Sequence, residues 1–205
     1  MSMHRDDTRA EILTFLKRED ASVDELSSKL GISSTATRQH LTILERDRLI
    51  TRIAIKEKMG RPKTFYSLTE RAESFFPKAY AAFFSWIIRD MIESEGSERV
   101  KEMMARLGSE QAAQYREKLK GDVESVVELL NNQGRYAELE RVDGQLLINE
   151  YNCLIYELAM EFGEVLCEFD RNFIGGLLNS SVELKCCIAN GERFCSFALS
   201  TGVRI

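Results

Sequence analysis

One stretch constrains the fold of this chain more than any other: Val23 to Tyr66, VDELSSKLGISSTATRQHLTILERDRLITRIAIKEKMGRPKTFY. Ser22 just before it is a good helix N-cap, and Glu25, three residues on, completes a capping box. The helix carrying Leu26 and Leu30 is expected to stop at Gly31, which tolerates the left-handed backbone that ends helices. Ser33 caps the next helix, with Ile32, Ala36, Leu41 and Leu44 facing inward and Ser34, Thr35, Thr37, Arg38 and Gln39 facing outward. Upstream, Asp7 to Lys17 place Ile12, Leu13, Phe15 and Leu16 on one stripe of a further helix. After Leu49 and Ile50, TRIAIKEKMGRPKTFYSL reads as two strands around a basic loop tipped by Gly60, where Arg61-Pro62 restricts the backbone.

A short turn between two crossed helices followed by a basic hairpin is a winged helix-turn-helix, and its second helix enters the DNA major groove. Ser33, Ser34, Thr35, Thr37, Arg38, Gln39 and His40 are the candidate contacts from that helix. Small hydroxylated residues let the backbone approach phosphate, and Arg38 can hold a guanine in two hydrogen bonds. Lys58, Arg61 and Lys63 are the wing's candidates for phosphate or a minor groove. The charge is laid out accordingly. Residues 29–72 hold ten Lys/Arg and four Asp/Glu, a surplus of +6; since the chain's net charge is −5, the remainder carries −11.

At 205 residues the chain is long enough for more than one core. The expected fold class is mainly α with an α+β C-terminal domain. Its expected parts are a winged helix-turn-helix over 1–72, a helical linker and dimerisation region over 73–133, and a cysteine-bearing sensor domain over 134–205. From Glu73 to Glu93 the residues Phe75, Phe76, Tyr80, Phe83, Phe84, Trp86, Ile87 and Met91 give a helix apolar on more than one face, with surface to spare for a second subunit. One recognition helix reads few base pairs, so a homodimer on a palindromic double-stranded operator is expected. The helical run ends near Asn131–Gly134. Two hairpins follow, one turning at Asp143-Gly144 and one at Asn190-Gly191, with helices over about 153–178 between them.

All five cysteines, Cys153, Cys167, Cys186, Cys187 and Cys195, lie in that last part. The start MSMHRDDTRAEIL gives no sign of a secretory signal, and Ala79–Ile88 is about half the roughly 20 residues a membrane-spanning helix needs. A cytoplasmic protein with no membrane partner is therefore expected, and in a reducing compartment such cysteines suggest metal or redox chemistry. Neighbouring strand residues face opposite ways, so only one of Cys186 and Cys187 can join a site with Cys195. Three to four thiolates suit an iron–sulfur cluster or zinc. Both histidines, His4 and His40, lie elsewhere. With no phosphate-binding glycine loop, no His-Glu-x-x-His and no histidine near a cysteine, no enzyme is expected.

The segments GISSTATRQHLTILERDRLI, MGRPKTFYSLTERAESFFPKAY, EYNCLIYELAMEFGEVLCEFD and NGERFCSFAL together resemble the SufR-type repressors of iron–sulfur cluster assembly, relatives of the ArsR/DeoR-like winged-helix regulators. The resemblance implies a dimeric transcriptional repressor whose C-terminal cysteines hold an iron–sulfur cluster, expected as 4Fe–4S, that sets operator affinity. It carries Cys153, Cys167 and Cys195 over as ligands. The family's remaining cysteine would fall near Ser180, where this chain has no thiol, so the fourth ligand here is Cys187, with Cys186 or a group outside this set as the alternatives. The competing expectation is a regulator whose C-terminal receptor domain is zinc-stabilised or thiol-redox and answers a small molecule.

Overall fold

The structure is a computed structural model and describes residues 8–55, 63–119 and 121–200. It is mainly helical and divides into two compact units, residues 1–78 and 79–205.

The first unit holds α1 (Thr8–Leu16), α2 (Val23–Leu30), α3 (Ser34–Arg46), β1 (Ile50–Ile55) and β2 (Lys63–Leu68). Capping begins and ends the helices as the sequence dictates. Ser22 takes part in a full capping box with Glu25, and Gly31 closes α2 at φ 66°. Ile12, Leu13, Leu16, Leu26, Leu41, Leu44, Leu49, Ile50 and Tyr66 form one buried core. β1 and β2 pair antiparallel with Ile50 opposite Leu68, and Ala21 bridges to Tyr66, tying the hairpin to the entry of α2. The wing tip with Lys58 and Arg61 lies outside the described residues.

The expected long helix from Glu73 is not continuous. Glu70–Phe75 is a short 3-10 helix, and Pro77 separates it from α4 (Tyr80–Glu95). Proline has no N–H for an intrahelical bond, so the chain breaks there. The division between units falls at the same place.

The second unit continues with α5 (Ser97–Arg116), α6 (Val123–Asn132), β3 (Ala137–Val142), β4 (Gln145–Glu150), α7 (Tyr156–Phe162), α8 (Glu164–Leu178), β5 (Val182–Cys186) and β6 (Cys195–Leu199). Its four strands form one antiparallel sheet in the order β3-β4-β6-β5. The two hairpins are thus neighbours in one sheet, joined through β4 and β6. Asp143 and Gly144 both have positive φ, 50° and 83°, the backbone that a two-residue turn needs to match strand twist. The sheet shares its core with α5, α6 and α8: Ala112, Val126, Leu130, Ile148, Phe173, Leu177 and Phe197 are all buried together. α5 and α6, expected to belong to a linker ending at 133, contribute Ala112, Val123, Val126 and Leu130 to that core.

α5 and α8 lie unusually close. A Cβ on Gly108 would press far inside van der Waals contact of the Phe169 carbonyl oxygen and lie 3.0 Å from the Phe173 nitrogen; one on Gly176 would lie 2.7 Å from the Ala112 Cβ. Backbone cannot yield as a flexible side chain does, so a methyl group here separates the helices. Gly108→Ala is expected to lower the stability of the second unit by about 1–3 kcal/mol, measured as a fall in the denaturation midpoint. Alanine at Gly144, whose Cβ would meet nothing within 4 Å, would act only through its positive φ.

Candidate functional site

In the first unit the face of α3 is the candidate site. Ser33, at φ −66° and ψ 149°, accepts a hydrogen bond from the Ala36 N–H through its Oγ at 3.2 Å, fixing where α3 begins. Ser34, Thr35, Arg38 and Gln39 are exposed on the N-terminal half of that helix. Arg38 forms no side-chain hydrogen bond or ion pair with another described residue, so its guanidinium is free for a base or phosphate. Lys63 stands exposed at the start of β2, 5.8 Å from the Phe65 ring centre.

Thr37 departs from expectation. It is 0% exposed, and its Oγ1 donates to the Ser33 carbonyl at 3.1 Å while lying 2.9 Å from the Ser27 Oγ. Ser27 in turn donates to the Val23 carbonyl at 2.6 Å. The side chain thus joins α2 to α3 and cannot touch DNA. The outward reading failed because Thr37 lies four residues before Leu41, on the inward stripe, and its hydroxyl finds partners there. His40 is half-buried, and its Nδ1 has no hydrogen-bond partner among the described residues.

In the second unit the candidate site is the cysteine group. Cys167, Cys187 and Cys195 are buried in the main core, and Cys153 is half-buried after β4. Cys167 and Cys187 lie in the same core and are close enough for each thiol to feel the other's charge. Cys195 Sγ accepts the Ile188 N–H at 3.4 Å. Cys186 takes no part: its thiol donates to the Phe194 carbonyl at 3.6 Å on the other face of the chain. Of the two neighbouring cysteines, Cys187 is therefore the one brought to Cys167. Alternation along the strand separates the two, as the sequence implied, but only the packing says which turns inward.

Burial pushes the Cys167 thiol well above its ordinary pKa, with Cys187 and Cys195 adding to the rise. Burial likewise raises Cys195 to about 12, against the pull of the Ile188 N–H, and Cys153 and Cys187 contribute. Burial raises the Cys153 thiol too, so Cys153, Cys167 and Cys195 are all pushed toward the protonated form. Thiol sulfur is the right chemistry for zinc or an iron–sulfur cluster. No set of three or more His, Cys, Asp or Glu side chains among the described residues is already arranged around a single-ion position. A single tetrahedral zinc would need sulfurs only about 3.8 Å apart, from its Zn–S distance of about 2.3 Å; a cluster spreads its thiolates over a larger cage.

Behind the thiols lies a feature that sequence reasoning missed. Arg135 Nη1 donates to Glu150 Oε2 at 3.1 Å and to Asp170 Oδ1 at 2.7 Å, and Arg135 and Glu150 are buried. One guanidinium thus serves two carboxylates. Burial raises Glu150 to about 7; Arg135 offsets that only in part, and the Asp170 charge adds to the rise. For Arg135, burial disfavours the charge, but Asp170 and Glu150 outweigh it and the pKa rises. The residues come from the α6–β3 turn, β4 and α8, separations of 15 and 35 positions, so no local motif announces them.

Glu150 holds its proton in the folded chain over a range where the unfolded chain, near 4.5, has lost it. Its contribution is therefore complete below about pH 4.5 and is lost as pH rises to about 7, on the order of 2–3 kcal/mol. Denaturation midpoints between pH 4.5 and 7.5 are expected to show this fall in the wild type. Glu150→Gln should flatten it.

Comparison with known proteins completes the site. Residues 6–52 match the family described as bacterial regulatory protein, arsR family, which covers α1 to α3 and the first residues of β1. With the geometry above, this makes the first unit the winged helix-turn-helix of a DNA-binding transcriptional regulator. Among solved structures, Bacillus subtilis PadR in complex with operator DNA is similar at 14% identity and a TM-score of 0.30, over 83% of this chain and 95% of that one. No curated protein matches. Among the described residues, no helix is long and apolar enough to cross a membrane.

The match over residues 73–199 overturns one expectation, that the chain has nothing of an enzyme. That stretch matches the model of L-2-amino-thiazoline-4-carboxylic acid hydrolase. The exclusion had rested on missing local motifs and a missing histidine base, and a buried carboxyl such as Glu150 answers to neither criterion. With 127 of 205 residues matched, the chain belongs to the L-2-amino-thiazoline-4-carboxylic acid hydrolase family, carried behind an ArsR-type winged helix-turn-helix.

Proposed function

We propose that this DNA-binding regulator is a homodimeric repressor whose second unit is its receptor, and that Cys153, Cys167, Cys187 and Cys195 hold an iron–sulfur cluster whose state sets operator affinity. The observation that carries this reading is the sorting of the cysteines. Three buried thiols, from α8, the segment after β5 and the start of β6, share one core with half-buried Cys153 of the β4–α7 connection close enough to act on Cys195, while Cys186 bonds elsewhere. Such a cluster would supply oxidant-sensitive chemistry and four fixed attachment points. The chain's own contribution is to exclude water from the thiols and to set their charge through the Arg135 network. For pairing of subunits, α4 offers an exposed stripe of Phe83, Trp86 and Ile87, with Trp86 67% exposed. A stripe of that kind is what a two-fold helix contact buries.

The test is an oxygen-free preparation analysed for iron, sulfide and visible absorption, with operator affinity measured on a palindromic duplex and on one half-site. Iron and sulfide in stoichiometric amounts are expected, together with a preference for the palindrome. Cys153→Ser should remove the absorption and change operator affinity about 5–150-fold. A colourless, iron-free protein whose affinity ignores Cys153→Ser sinks the proposal. Stoichiometric zinc, retained in air, would favour a zinc-stabilised receptor instead.

The family match favours a second reading, in which the second unit hydrolyses a cyclic amidine of the kind that names the family. Incubation of the full chain with L-2-amino-thiazoline-4-carboxylic acid decides it. Ring opening, followed as loss of the thiazoline ultraviolet band, should exceed the uncatalysed rate. No excess refutes this reading and leaves the regulator reading untouched.

A further inference from the structure

The first unit has a cleft lined by no residue of the recognition helix and by none of the cysteines. It is an open groove of about 890 Å³ beside α1, lined by Phe15 of α1, Leu30 at the end of α2, and Phe75, Phe76 and Pro77 from the segment that follows β2. That volume lies within the range of small-molecule sites. Phe15, Leu30 and Phe76 are half-buried and pack against the core that also holds Leu41 and Leu44 of α3. Phe75 is 42% exposed, so the groove leaves apolar surface open to an occupant.

Its far wall is fixed to α1. The Glu73 carboxylate pairs with Lys17, directly after α1, and with Lys78 at 2.8 Å. Lys17 Nζ also lies 4.9 Å from the centre of the Phe76 ring. The groove is therefore preformed, and Glu73 satisfies both of those lysines. Two further cations line it, Arg18 beyond the end of α1 and Lys29 in the last turn of α2. Both are exposed, and neither side chain forms a hydrogen bond or ion pair with another described residue. A solvated surface cation is ordinary; two unpaired ones beside open apolar surface make an amphipathic site with a positive head-group position. The one carboxylate on the lining without such a partner is Glu11. It lies seven positions before Arg18, roughly 10 Å away along the helix axis, so it repels an anion from its own end and favours the Arg18 end.

We propose that this groove binds an aliphatic carboxylate, its chain along Phe15, Leu30 and Phe76 and its carboxylate on Arg18 and Lys29. The arginine fork can hold both carboxylate oxygens at once, and the chain removes apolar surface from water on both sides of the contact. Binding requires neither a cluster on the cysteines nor turnover in the second unit, so it stands apart from both readings above.

The experiment titrates the full chain with octanoate, octanol and octylammonium, three probes with one chain and a negative, neutral or positive head, each below the concentration at which it aggregates. Binding is read by calorimetry and by protein-detected NMR. Octanoate is expected to bind about tenfold or more tightly than octanol, and octylammonium more weakly than either. Arg18→Gln and Lys29→Gln should each weaken octanoate, and together by about tenfold or more, while leaving octanol unchanged. Thr14→Trp, at an exposed position on the lining, puts a large side chain into the groove and should weaken both. Circular dichroism and melting temperature verify that each variant is folded. Octanoate no tighter than octanol, no binding of either, or octanoate binding indifferent to the Arg18→Gln, Lys29→Gln double variant would each overturn the proposal. So would NMR shifts confined to residues away from α1, the end of α2 and residues 74–78.

Discussion

How near two helices can come decides most of what the second unit does. α5 and α8 meet with backbone almost on backbone at Gly108 and Gly176, and α8 carries Cys167, Asp170, Phe169 and Phe173 inward from that contact. Phe173 is met edge-on by Tyr115 of α5 at 6.1 Å and stacked by Phe169 at 5.9 Å. The Arg135 guanidinium lies 5.6 Å from the same ring. Helix spacing therefore sets the position of the ring, the ring helps set the guanidinium, and the guanidinium holds Glu150 and Asp170. Sequence-distant groups become one site because a pair of missing side chains lets their scaffolds close.

Burial at that site raises Glu150, Cys153, Cys167 and Cys195 alike, while Asp170 and Glu150 hold Arg135 charged. Two carboxylates share one guanidinium, and the thiols of Cys153, Cys167 and Cys195 are pushed toward their protonated form beside them. A thiol must lose its proton to bind a metal, so loading this group is coupled to proton release and grows more favourable as pH rises. The buried carboxylate surplus adds to the thiols' cost of ionising and favours an incoming positive charge. The same surplus would suit a hydrolase, where a carboxyl poised near neutrality can give or take a proton. One environment thus serves either chemistry, and family membership alone does not choose between them.

What could be read from the sequence was local. Ser22, Glu25, Gly31 and Ser33 announce the ends of α2 and α3 because caps are made by residues three or four apart. Asp143-Gly144 announces its turn for the same reason. Thr37 was misread because a hydroxyl gives no sign of which way it faces; its partner Ser27 is on another helix. Cys187 could not be chosen over Cys186 from alternation, which says that the two differ but not which one meets α8. Arg135, Glu150 and Asp170 were invisible, since an ion pair across 35 positions leaves no periodicity. The enzyme-like character of residues 73–199 was missed for a related reason: it resides in a pattern spread over 127 residues, not in a motif.

Glu161 has a role beyond its own hydrogen bonds. A single carboxylate gripped by both Ser85 and Arg89 acts as a rivet between α4 and α7. Because α7 is followed at once by α8, which carries Cys167, this rivet ties the exposed aromatic stripe of α4 to the helix that carries part of the thiol group.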